Sequence, residues 1–374
     1  MSQITAITMP KWGLTMTEGK VLEWLKHEGD AVAPSDELLE IETPKITNVM
    51  EAGETGTLRR IVAKPGATLP IGGLLAVVAP AETADGEIDA FVTGFVVPEA
   101  ADEDDTASDA AGPRETEAGG KRLRYLDLGS RDGPPIVFVH GFGADLNAWM
   151  FNQPALAEKH RTIAPDLSGH GGSTKVMDFA LDAAGFAADI DHVLAALGVD
   201  RVHLVGHSMG GMIAASFAAS QPTRVASLTL IAPAGLGSEI NGDFIQGFVK
   251  MERRRDAQEV LRMLVHDPEL VSRQMVEDVL RYKRLDGVTA ALAAIAGEWF
   301  PGGAQRQRID IGSMTMPVQI IWGREDKIIA VAHGEAQAGR VPVHILDSAG
   351  HLPHMEKAAE VNRLISAFIE ATRT

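Results

Sequence analysis

Over the first eighty residues, apolar side chains come in short segments of alternating polarity broken by Gly, Pro and Asp turns, the pattern of half-buried strands. The pattern then repeats. Gly19-Lys20-Val21 and Trp24, followed by Gly29-Asp30, recur at a shift of 37 as Gly56-Thr57-Leu58 and Ile61, followed by Gly66-Ala67. Leu38-Leu39-Glu40-Ile41 returns at a shift of 36 as Leu74-Leu75-Ala76-Val77. Such a duplication predicts two similar small sheets, face to face about a pseudo-twofold axis, over residues 1–80. One turn has no duplicate, Ile41-Glu42-Thr43-Pro44-Lys45-Ile46. Pro44 pre-sets φ for a tight turn, which leaves Lys45 at a hairpin tip with its amine in solvent.

From about residue 122 the period changes. Ile136–Val139, Val202–Val205, Leu228–Ile231, Val318–Ile321 and Val343–Leu346 are continuous β-rich runs separated by longer helical stretches. Strands buried on both faces read this way, so residues 122–374 are expected to form an α/β sheet. Residues from about 236 to 314 break the strand rhythm and suggest a helical cap. They include Arg253-Arg254-Arg255, most simply a solvated helix face, with a phosphate or an acidic partner as the other reading.

Charge separates the two halves. Residues 82–120 hold twelve acids against one base, Arg114, and so carry -11 of the chain's net -17. An Ala/Gly/acid composition cannot bury enough apolar surface to fold alone, so residues 81–121 are expected to be a flexible linker, its ends on the order of 35 Å apart if it behaves as a coil. One island interrupts it: Ile88, Phe91, Val92 and Phe95 share a helical face, predicting a short helix over 87–96. That face either packs on its own chain or docks a partner subunit.

With 45% hydrophobic and 23% charged residues the chain reads as ordinary globular protein. The absence of cysteine removes disulfides, thiol nucleophiles and thiolate metal sites, and no metal is expected. No secretory signal or run of membrane-spanning length is evident, which points to the cytoplasm, and the acidic balance argues against nucleic-acid binding.

The candidate chemistry lies after the run ending at Val205. Gly206-His207-Ser208-Met209-Gly210 matches G-x-S-x-G between a strand and a helix, the turn that lifts a serine out of a sheet edge. A serine needs a base to take its proton and an acid to fix that base. Asp326, after Ile320-Ile321-Trp322, and His351, after the last strand, follow Ser208 in the expected order, with Glu325, Asp347 and His354 as rivals. Backbone N–H groups of Phe142, in His140-Gly141-Phe142-Gly143, and Met209 are the expected oxyanion donors. His140, His170 and His207 sit in glycine-rich turns and are read as structural.

The segment PKWGLTMTEG, the duplicated halves and the ET-x-K-I turn resemble a lipoyl domain of the lipoyl/biotinyl type. That resemblance implies an all-β domain and lipoate joined to Lys45 by an amide bond. Biotinyl domains flank their lysine with methionine, whereas here the neighbours are Pro44 and Ile46. An acid usually precedes the lipoyl lysine, and Pro44 departs from that. HGFG, DLSGHGGS, GHSMGG, WGREDK and GHLPHMEK resemble the α/β-hydrolase superfamily over residues 122–374. Serine at the nucleophile position excludes its aspartate-dependent branches.

The fusion resembles the acetyltransferase subunits of acetoin dehydrogenase complexes. It implies coenzyme A as cosubstrate, and as partners the thiamine-diphosphate-dependent acetoin-cleaving subunits and dihydrolipoamide dehydrogenase. The H-x-x-x-D-G motif of other dihydrolipoamide acyltransferases is missing, because Ala81, Leu128 and Tyr282 stand four places before the three Asp-Gly pairs. Their separate subunit-binding domain is also not recognisable, which gives the Phe91 island its interest. A lipoyl-tethered thioesterase or esterase and a noncatalytic scaffold are the alternatives.

Overall fold

The computed structural model describes residues 4–10, 18–33, 36–43, 47–95, 112–129 and 133–372. Lys45 lies outside them. The N-terminal unit contains β1 (Thr5–Thr8), β2 (Glu18–Trp24), β3 (Ala31–Val32), β4 (Glu37–Glu42), β5 (Thr47–Glu51), β6 (Gly56–Ile61), β7 (Thr68–Pro70) and β8 (Leu74–Ala79). Its two antiparallel sheets run β1-β8-β6-β3 and β5-β4-β2-β7. The duplication explains both orders, because β2, β3 and β4 correspond to β6, β7 and β8. Each half therefore gives two strands to each sheet. Val21, Leu38 and Ile41 from one sheet and Leu58, Leu75 and Val78 from the other bury together in one core. β4 and β5 pair as far as Glu42 opposite Thr47.

Helix α1 (Asp85–Gly94) follows β8, where the short helix over 87–96 is expected. Ile88 is fully buried against Leu74, Val77 and Ala79, with Phe91, Val92 and Phe95 packed around it. Burying one such side chain is worth roughly 1.5–3 kcal/mol. Ion pairs Arg59–Asp85 at 2.7 Å and Arg60–Asp89 at 2.6 Å hold the helix on the sheet. Of the two readings of this stripe, packing on its own chain is the contact seen here, with Phe91, Val92 and Phe95 only partly buried in it. β8 supplies the reason: a strand apolar on both faces needs a second cover.

The C-terminal unit contains β9 (Arg114–Ala118), β10 (Lys121–Leu128), β11 (Ile136–Val139), β12 (Thr162–Pro165), β13 (Val202–His207), β14 (Val225–Ile231), β15 (Val318–Gly323) and β16 (Val343–Leu346). They form one sheet in the order β16-β15-β14-β13-β11-β12-β10-β9. From β12 to β16 neighbours are parallel, while β10 runs antiparallel to β12 and β9. The end of the acidic stretch departs from the linker reading: Arg114–Ala118 is the edge strand, its alternating residues exposed on one face.

Helices α2 (Gln153–Ala157), α3 (Ala183–Ala196) and α4 (Met209–Ser220) connect the first strands. α5 (Gly242–Lys250), α6 (Arg254–Leu261), α7 (Arg273–Lys283) and α8 (Val288–Trp299) make the cap between β14 and β15, and α9 (Ala332–Glu335), α10 (Pro353–Glu356) and α11 (Ala358–Ala371) complete the unit. Among the described residues no helix is long and apolar enough to cross a membrane.

Candidate active site

Ser208 stands between β13 and α4 with φ 54° and ψ -121°, a conformation that costs a non-glycine residue of order 1–3 kcal/mol. The surroundings hold it there. Its N–H donates to Ile231 O at 3.0 Å, and its carbonyl accepts from Gly211 and Ala234, both at 2.9 Å. A Cβ at Gly210 would come within 2.2 Å of Val139 O, so glycine is needed where α4 crosses β11.

His351 Nε2 lies 3.0 Å from Ser208 Oγ, and His351 Nδ1 lies 2.8 Å from Asp326 Oδ2. A carboxylate only accepts, so Nδ1–H donates to Asp326 and Nε2 is left to accept from the Ser208 hydroxyl. The arrangement makes that hydroxyl a nucleophile. Asp326 is itself fixed on every side: Oδ2 also accepts from Trp322 Nε1 at 2.9 Å, and Oδ1 from the N–H groups of Ile328 at 2.8 Å and Ile329 at 3.0 Å. Its side chain is fully buried.

The rivals are engaged elsewhere. Asp347 pairs with Arg324, and Glu325 accepts from the Ala349 N–H. His354 is fully buried between Trp149 and His207, and desolvation pushes its pKa down to about 3, so it stays neutral.

Among the described residues the N–H groups of Phe142 and Met209 have no protein acceptor. Met209 opens α4, where the first N–H groups lack intrahelical partners and the dipole favours negative charge. Phe142 shares its peptide with Gly141, whose carbonyl accepts from His140 Nδ1–H at 2.9 Å. His140 Nε2 in turn accepts from the Leu167 N–H at 3.0 Å, which sets the tautomer. Burial holds this ring below its ordinary pKa and hence neutral. His140 therefore orients the peptide that carries the Phe142 N–H. His170 packs edge-on against His140 and Phe142, and its Nδ1 meets Ser168 O at 3.1 Å, a structural place.

His207, read from the sequence as turn filling, has a more specific contact. Desolvation drives its pKa well below the ordinary value, and its neutral Nε2–H donates to the carbonyl of His351 at 2.8 Å. It is a positioning residue for the loop bearing His351. Replacing His207 with phenylalanine is expected to lower kcat for acyl transfer by about 10- to 100-fold with KM unchanged, as a small misplacement of reacting groups does. Glutamine, which keeps an N–H donor, should recover part of the loss. Full activity in His207→Phe would show that the bond positions nothing.

Comparisons with known proteins match both domains. The family described as biotin-requiring enzyme matches residues 5–78, and the alpha/beta hydrolase fold family matches residues 134–358. The chain is 46% identical to the dihydrolipoyllysine-residue acetyltransferase component of the acetoin cleaving system of Pseudomonas putida, over 99% of both chains. It is 42% identical to the component of the same name from Cupriavidus necator, over 97% of this chain and 96% of that one. Among solved structures, a membrane phospholipase A is similar over 70% of this chain and 87% of that one, with a TM-score of 0.60 and 26% identity. Two domains matched in order and end-to-end identity above 40% place the chain in the family of dihydrolipoyllysine-residue acetyltransferase components of acetoin cleaving systems.

Proposed function

We propose that the C-terminal domain transfers an acetyl group from a thioester tethered at Lys45 to coenzyme A by way of acetyl-Ser208, within an acetoin-cleaving complex. The observation that carries this is the continuous bonding of Ser208 through His351 to Asp326, in a chain whose other domain is of the biotin/lipoyl type. A lipoyl group on Lys45 would present the acetyl group as an activated thioester. Lys45 lies in the sequence between the paired ends of β4 and β5, and an amine suits an amide link.

In the first half-reaction Ser208 Oγ attacks the thioester carbonyl and its proton passes to His351 Nε2. The negative charge that develops on the carbonyl oxygen is met by the N–H groups of Phe142 and Met209. The C–S bond then breaks, and the departing sulfur takes the proton from His351. In the second half-reaction His351 removes the proton of the coenzyme A thiol, the thiolate attacks acetyl-Ser208, and the C–O bond breaks with return of the proton to Oγ. Asp326 stabilises the imidazolium in both. The other subunits of such a complex would be those that cleave acetoin with thiamine diphosphate, and dihydrolipoamide dehydrogenase.

The test compares the wild type with Lys45→Ala. The wild type from lipoate-supplied cells should carry one lipoyl addition by intact mass and should convert acetyl-dihydrolipoamide and coenzyme A to acetyl-coenzyme A. Lys45→Ala should lose the addition and keep transfer from the free donor. Release of free acetate at an undiminished rate in saturating coenzyme A would defeat the transferase reading in favour of a thioesterase. A wild type without the addition would refute the carrier role of Lys45.

A further inference from the structure

The cap holds a cluster of arginines that the steps above leave unused. Arg253 and Arg254 at the start of α6 and Arg281 and Arg284 at the end of α7 line a cavity of about 260 Å³, with Glu252 and Glu277 as the acids beside them. Arg254 pairs with Glu277 at 2.6 Å and Arg281 with Asp278 at 3.0 Å. Among the described residues the side chains of Arg253 and Arg284 have no acid or hydrogen-bonding partner.

Of the three arginines that stand at the N-terminal end of α6, Arg254 pairs with Glu277 and Arg255 with Glu259, while no side chain caps the free N–H groups of the helix. The guanidiniums of Arg253 and Arg284 are thus left on this face to meet an anion. The guanidinium fork suits phosphate oxygens in particular.

We propose that this cavity anchors the phosphate groups of coenzyme A, leaving the pantetheine arm to carry the thiol to acetyl-Ser208; the inference rests on coenzyme A being the acceptor. Two contacts tie the cavity to the reacting centre. Buried Lys283, between Arg281 and Arg284 on α7, donates to the carbonyls of Phe248, Val249 and Met251 at 2.6, 2.9 and 2.8 Å, fixing the end of α5 that leads into Arg253. The ring of Phe248 packs edge-on against that of Phe142, with centroids 5.8 Å apart. One braced segment of the cap thus has the arginines at one end and the oxyanion loop at the other.

The test uses the full-length R253Q/R284Q protein, because these two side chains hold nothing else in place. Its KM for coenzyme A should rise by about tenfold or more, as loss of charge-assisted phosphate bonds requires. KM for acetyl-dihydrolipoamide, and the rate with pantetheine as acceptor, should stay at the wild-type values. Adenosine 3′,5′-bisphosphate should compete with coenzyme A in the wild type and lose that ability in the variant. An unchanged KM for coenzyme A overturns the anchor alone. Loss of transfer only from the protein-borne donor, with KM for coenzyme A intact, assigns the arginines to an acidic protein segment and also overturns it. A wild type unable to acetylate coenzyme A removes the acceptor reading, and the anchor falls with it.

Discussion

Ser208→Ala should lower acetyl transfer to coenzyme A by on the order of 10⁵- to 10⁶-fold, the loss that follows when a nucleophile acting as one unit with its base is removed. The size of the effect decides between two routes. If coenzyme A attacked the thioester directly, with Ser208 only donating a hydrogen bond to the oxyanion, its removal would cost about 10²- to 10³-fold. The fold should survive, because the strained backbone at this position is imposed by bonds to Ile231, Gly211 and Ala234 that alanine keeps. Single-turnover measurement with acetyl-dihydrolipoamide, and mass analysis for an acetylated protein, give the answer. A loss confined to the smaller range, with no acetyl adduct on the wild type, would rule out the covalent route.

Asp326→Asn should cost about 10⁴-fold in kcat, by analogy with the same change in a serine protease triad. The carboxylate forces Nδ1–H toward itself, whereas an amide can offer its NH₂ group there and turn the imidazole into the wrong tautomer. Four donors converge on the two oxygens of Asp326: His351 Nδ1, Trp322 Nε1 and the N–H groups of Ile328 and Ile329. Asparagine has only one acceptor oxygen, so at least one of these buried donors loses its bond to residue 326, and Trp322 Nε1 keeps only the longer one to the Ile329 carbonyl at 3.3 Å, a loss of about 1 kcal/mol of stability. A lower melting temperature should therefore accompany the loss of rate. If kcat fell by less than tenfold, a different acid would have to orient His351.

Much of this site was legible because its chemistry is carried by local signals. A glycine-rich turn between a buried strand and a helix marks Ser208, and strand ends mark Asp326 and His351, so chain order alone assembled the set that the structure brings within hydrogen-bonding distance. The positioning groups were hidden for the opposite reason. His207 meets the carbonyl of a residue 144 positions away, and His140 meets the N–H of Leu167 across a loop. Neither contact leaves a pattern in the sequence.

Composition misled over the acidic stretch. Net charge describes what water can solvate, but β9 needs only backbone bonds to extend a sheet edge, whereas the apolar stripe of α1 was visible. The duplication of the N-terminal domain showed in the sequence, while the allotment of its strands to two sheets needed the coordinates.

That allotment bears on how such a domain could have arisen. A lone copy of the repeated unit would hold β2 with β4 in one sheet and β1 and β3 in the other, with the partners β8 and β6 missing from between the latter pair. Two separate copies could fill each other's gaps through a symmetric exchange of strands. Joining the copies in one polypeptide keeps that mutual completion while making it independent of concentration. It also exempts the single connection between them, the segment of sequence that includes Lys45, from the constraint of symmetry.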